Sequence, residues 1–125
     1  MNKKRGVVLL AHGARNAAWA APFERLAASL QRPSRPVCLA FLEFMKPDLP
    51  GAASQLAKQG CTHLQLLPCF LAGAGHVLRD LPMSLEHANH LNPGLKWTVL
   101  PALGEQPDFQ QALAEVCEQI LERGE

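Results

Sequence analysis

The chain has no tyrosine, and its aromatic fraction is only 6% of 125 residues. That shortage excludes no chemistry by itself. Other absences exclude more. Charge of one sign is missing: 12 Lys and Arg against 11 Asp and Glu leave a formal net charge of +1. Such a balance provides no broad positive field for nucleic acid, and Lys3-Lys4-Arg5 is too short to act as a nucleic-acid arm. No apolar run approaches the roughly 20 residues that span a bilayer. The apolar stretch near the N-terminus breaks at His12 and Arg15, which makes it a poor signal peptide. The expectation is a cytoplasmic protein with neither nucleic-acid nor membrane partners. The four cysteines, Cys38, Cys61, Cys69 and Cys117, form no C-x-x-C pair. That argues against a zinc knuckle or a thioredoxin-type redox motif and for buried free thiols. Gly73-Ala74-Gly75 lacks the flanking Lys-Ser/Thr of a phosphate loop, and no G-x-G-x-x-G follows the first apolar run, so nucleotide binding has little support. No repeat, low-complexity segment or second domain is visible.

What is present begins with Gly6 to Arg15, Gly-Val-Val-Leu-Leu-Ala-His-Gly-Ala-Arg. Val7 to Ala11 is long enough for a strand and too short for a helix. A strand apolar on both faces belongs in a parallel sheet covered by helices. The run ends in His12, and Gly13 permits a sharp turn. Asn16 to Gln31 then reads as a helix, with Trp19, Phe23, Leu26, Ala27 and Leu30 on one stripe. Pro22 suits it only if it lies in the first turn. Pro36 to Leu42 is a second strand ending at Glu43, and Leu49 to Gln59 a helix capped by Asp48 and stopped by Gly60. Thr62 to Pro68 is a third strand. Val77 to His90 is mostly helical, with Pro82 breaking or restarting it. Lys96 to Leu100 is a fourth strand, Pro101 to Pro107 a loop, and Asp108 to Arg123 a closing helix with Phe109, Leu113, Val116, Ile120 and Leu121 on one side.

Strand and helix alternate throughout, so residues 1–125 are expected to form one α/β domain: three layers, a four-stranded parallel sheet and helices on both faces. The common order for such a chain is 2-1-3-4. The switch-point crevice, where ligands bind in open α/β sheets, then opens between strands 1 and 3. His12 follows strand 1, and His76 follows strand 3 after a glycine-bearing loop. Neighbouring strands lie about 4.8 Å apart, so the two imidazoles would share that crevice. Glu43, ending strand 2, lies on the other side of strand 1. Two imidazoles and a carboxylate suit a first-row divalent metal with coordination positions left open. Gly13, Gly73 and Gly75 leave room for a large flat ligand, and Arg15, Lys46 and Arg79 could receive its carboxylates. His63 reads as a packed or edge histidine. His87 and His90 could chelate on one helical turn but read more simply as a solvated face.

Three blocks resemble the small CbiX-type sirohydrochlorin chelatases. They are Leu-Leu-Ala-His-Gly-Ala-Arg, Phe-Leu-Glu-Phe-Met-Lys-Pro-Asp-Leu and Leu-Pro-Cys-Phe-Leu-Ala-Gly-Ala-Gly-His-Val-Leu-Arg-Asp-Leu-Pro. The block around His76 is the most specific, and the order matches across nearly the whole chain, including Leu-Pro-Ala-Leu-Gly-Glu near its end. The resemblance implies a class II chelatase fold and insertion of a divalent metal into sirohydrochlorin. Cobalt would serve cobalamin synthesis and iron sirohaem, nickel is open, and no organic cofactor is expected. It implies His12 and His76 as metal ligands and Glu43 as the matching acidic position. Longer relatives carry two such domains facing one cleft, so a single-domain member is expected to rebuild the cleft as a homodimer. Ala14 and Asn16 stand where the family often has Ser and Asp. One of His12, His76 or Glu43 would take a pyrrole proton as general base. Imidazole suits both metal and proton, since its unperturbed pKa is about 6.5, and metal loading should weaken as pH falls. Two other classes remain open: a metal or tetrapyrrole carrier using the same histidines, and a phosphoryl-transfer enzyme using His12. The latter lacks an arginine just before the histidine.

Overall fold

The chain is described by a computed structural model covering residues 4–71, 75 and 78–124. Four parallel strands, β1 (Arg5–Ala11), β2 (Val37–Phe41), β3 (His63–Pro68) and β4 (Lys96–Val99), form a sheet in the order β2-β1-β3-β4. β1 is an interior strand and is buried on both faces. Val8 and Leu10 point to one side and Leu9 and Ala11 to the other, and all four are fully buried. Burying a leucine completely contributes roughly 1.5–3 kcal/mol.

The Val8 and Leu10 face packs under α2 (Leu49–Lys58) and α3 (Leu81–Leu91), with Leu56, Leu64, Leu66 and Ala88 in one core. The Leu9 face packs under α1 (Ala21–Leu30) through Phe23, Leu26 and Leu30. Helices thus lie on both faces, as the alternation of elements requires. Turn chemistry fixes the helix ends. Asn16 accepts from the Ala18 N–H and opens a short 3-10 turn, Ala17–Ala20, after which Pro22 falls in the first turn of α1. The Asp48 side chain accepts from Gly51 N–H at 2.9 Å and starts α2, a cap worth about 1 kcal/mol. Gly60, with φ 92°, ends it. Pro82 lies in the first turn of α3, so it starts that helix and interrupts nothing.

The expected loop from Pro101 to Pro107 contains a short 3-10 turn, Leu103–Glu105. The closing helix, α4 (Pro107–Arg123), forms over the expected span, but it has no buried residue. Leu113, Val116, Ile120 and Leu121 are 38%, 51%, 39% and 71% exposed, so the apolar side is open to solvent. On α1's side of the sheet, Lys96 and Thr98 of β4 are exposed as well. No helix of the described residues is long and apolar enough to cross a membrane.

Candidate functional site

The parallel register sets Ala11 beside Phe41, at the carboxyl ends of β1 and β2. Pairing runs on past the strands. Leu42 N–H donates to Ala11 carbonyl at 3.0 Å, and Glu43 N–H to His12 carbonyl at 3.1 Å. The two loops are therefore stitched together where they leave the sheet, and His12 and Glu43 become neighbours. Gly13 makes this approach possible. Its φ is 99°, and a Cβ there would run into the Glu43 carbonyl oxygen. Side chains rarely adopt that conformation, and none would fit the space.

The outcome is a direct contact: His12 Nε2 lies 2.5 Å from Glu43 Oε2. Both side chains are about half exposed, 46% and 49%, so the pair faces solvent at the sheet edge. An ionised carboxylate only accepts hydrogen bonds. In the neutral tautomer that donates from Nε2 to Glu43, the Nδ1 lone pair is left for an electrophile. A carboxylate behind an imidazole also fixes its orientation, the usual support for a metal-binding histidine. Among the described residues no group of three or more His, Cys, Asp or Glu could hold a metal, and His12 and Glu43 stand there as a pair.

The other candidates fall in several places. His76 and Gly73 lie outside the described residues. Gly75 is exposed, with open space where a Cβ would stand. Arg15 stacks on Phe44, its guanidinium carbon 4.6 Å from the ring centroid. Lys46 is 85% exposed, with Nζ 3.6 Å from Asp48 Oδ2. Arg79 is exposed in the turn before α3. His63 is half-buried, with Nδ1 2.8 Å from Thr62 Oγ1, which fits a packed strand histidine. His87 and His90 are exposed on α3.

Two features were missed in the sequence. His87 stands at a cavity of about 450 Å³ with Phe41, Leu42, Asp48, Asp80 and Met83, between the start of α2 and α3. The second is Phe44, which is 55% exposed and has φ 69°. Its place directly after Glu43 was the available signal. The thiols are as expected for Cys61 and Cys69, which are buried; burial pushes the Cys69 thiol up to about 11. Cys117, on α4, is exposed.

Comparison with known proteins agrees with the fold. The family model described as CbiX matches residues 6–120. A sirohydrochlorin cobaltochelatase of Saccharolobus solfataricus is 34% identical, over 89% of this chain and 88% of its own. The crystal structure of a CbiX protein of cobalamin (vitamin B12) biosynthesis from Marinobacter aquaeolei superimposes with a TM-score of 0.81 at 27% identity. That match covers 95% of this chain and 98% of the other. The sirohydrochlorin chelatase SirB of Bacillus subtilis, solved with cobalt, shares the fold with a TM-score of 0.74 at 24% identity. This chain spans 51% of it.

Proposed function

The chain belongs to the CbiX family, and from that premise we propose that it is a sirohydrochlorin chelatase inserting a divalent metal, cobalt first, into the macrocycle. The observation that carries this reading is the His12–Glu43 contact at the carboxyl edge of the central strand. Insertion exchanges two pyrrole N–H protons for a divalent ion that must first shed water. An imidazole with a free Nδ1 meets the ion, the carboxylate behind it receives one of the two protons, and the other passes to the solvent that the half-exposed pair faces. The metal is here a substrate passing through, so an incomplete and solvent-facing donor set suits the task better than a closed one.

His76 is the second ligand in this reading, brought by the loop after β3. The supporting fact is topological: β3 is the other neighbour of β1. Gly73 and Gly75 give the ring access, and Arg15, Lys46 and Arg79 receive its peripheral carboxylates. Iron and nickel are competing ions, and no organic cofactor takes part. The four free thiols suit a reducing compartment, and the site of action in this reading is the cytoplasm.

The working unit in this reading is a homodimer. The observation that supports it is α4, which leaves its apolar side exposed for a second copy to cover. The test is cobalt insertion into sirohydrochlorin by purified protein, followed by absorbance through several equivalents. Turnover beyond one equivalent is expected. His12→Ala and His76→Ala should each lose most activity while remaining folded. Wild-type rates in both variants would refute the assignment. A stop at one equivalent would leave a carrier.

A further inference from the structure

Among the described residues Phe44 is the only non-glycine with a positive φ, at 69°. A large side chain in the left-handed region is costly and tends to persist where it has work. Phe44 does not fill the core, being 55% exposed. It follows Glu43 directly, and its left-handed turn brings its ring against Arg15, whose guanidinium carbon lies 4.6 Å from the ring centroid. Arg15 makes no ion pair with a carboxylate among the described residues. It stands three residues beyond His12. The stack therefore bridges the same two loops as the His12–Glu43 contact, on the solvent side.

A guanidinium held over an aromatic face can still present N–H groups outward, and its fork matches a carboxylate in bidentate geometry. An unstacked arginine on a flexible loop would spend rotamer entropy on each such contact. We propose that Phe44 is a positioning residue: it holds Arg15 as a preformed receptor for a peripheral carboxylate of the tetrapyrrole, next to the His12–Glu43 pair. This rests on the chelatase reading and adds a residue that reading did not include. The metal-handling pair is not involved, so the effect is on the macrocycle alone.

The experiment compares wild type with Phe44→Leu, Phe44→Trp, Arg15→Gln and the Phe44→Leu/Arg15→Gln double variant. It measures steady-state cobalt insertion and equilibrium binding of metal-free sirohydrochlorin by absorbance. Phe44→Leu keeps an apolar side chain but removes the stack. It should raise KM and Kd for sirohydrochlorin about two- to fivefold, the value of an exposed cation–π contact. Its kcat and its KM for cobalt should be unchanged. Phe44→Trp should restore wild-type values. Arg15→Gln should weaken the macrocycle about tenfold or more, and the double variant should be no worse than Arg15→Gln alone. Unchanged KM and Kd in Phe44→Leu, additive losses in the double variant, a raised KM for cobalt, or a change of oligomeric state on sedimentation would each overturn the proposal. If wild type binds the macrocycle without ever turning over, the chelatase reading fails. The Kd pattern then decides the positioning role by itself.

Discussion

Replacing Glu43 with glutamine separates chemistry from stability. The variant keeps the shape of the side chain and an oxygen that accepts from His12 Nε2, but it removes the negative charge and the basic oxygen. The pair is 46% and 49% exposed at a distance of 2.5 Å. Solvent and salt screen such a pair, and its net contribution to folding is about 0.2–1 kcal/mol. For a chain of 125 residues, that corresponds to a melting shift of roughly 5 °C at most. The catalytic loss is on a different scale. A positioned general base contributes about 10²- to 10⁴-fold, and the amide oxygen of glutamine is not basic enough to replace it. Glu43→Gln should therefore slow cobalt insertion at saturating substrates by about 100-fold or more while melting almost with wild type. Thermal unfolding and initial rates on one preparation give both numbers. A rate close to wild type would refute the assignment of Glu43. So would a large melting loss that carried the activity away with it, since Glu43 would then be a structural residue.

Other outcomes follow from the same geometry. Gly13→Ala forces a Cβ toward the Glu43 carbonyl at φ 99°, so it should cost about 2 kcal/mol or more in chemical denaturation and disrupt the His12–Glu43 contact. At pH 8 a thiol reagent should label the exposed Cys117 quickly and Cys69 only on unfolding, because burial holds the Cys69 thiol near about 11. That thiol titrates at a higher pH folded than unfolded, where its ordinary value is 9.0. The native state then holds the proton longer, and stability should fall as pH rises from about 9 to 11, seen as a lower melting temperature. Val116→Asp together with Ile120→Asp on the exposed side of α4 should leave the secondary structure intact by circular dichroism and yield monomers on sedimentation. A persistent dimer would mean that α4 is not the contact.

The alternation of short apolar runs with amphipathic segments sufficed for the α/β class and the parallel sheet, and the order β2-β1-β3-β4 is the common one for such a chain, since right-handed crossovers leave few alternatives. Capping by Asp48 and the stop at Gly60 were equally local, being set by side-chain and φ preferences within a turn. Proximity of His12 and Glu43 was readable in outline from the ends of two strands. Their direct contact was not, because it depends on backbone pairing that continues past the strands and on Gly13 admitting the Glu43 carbonyl. The place of Phe44 directly after Glu43 was readable, but its left-handed backbone was not, since that angle has no signature in a phenylalanine. The apolar stripe of α4 was plain as a helical pattern, but a stripe does not say what covers it. Periodicity and caps act within a few residues and are written in the chain; whether a face is buried, or two loops touch, depends on packing between residues far apart in sequence, and tertiary structure alone decides that.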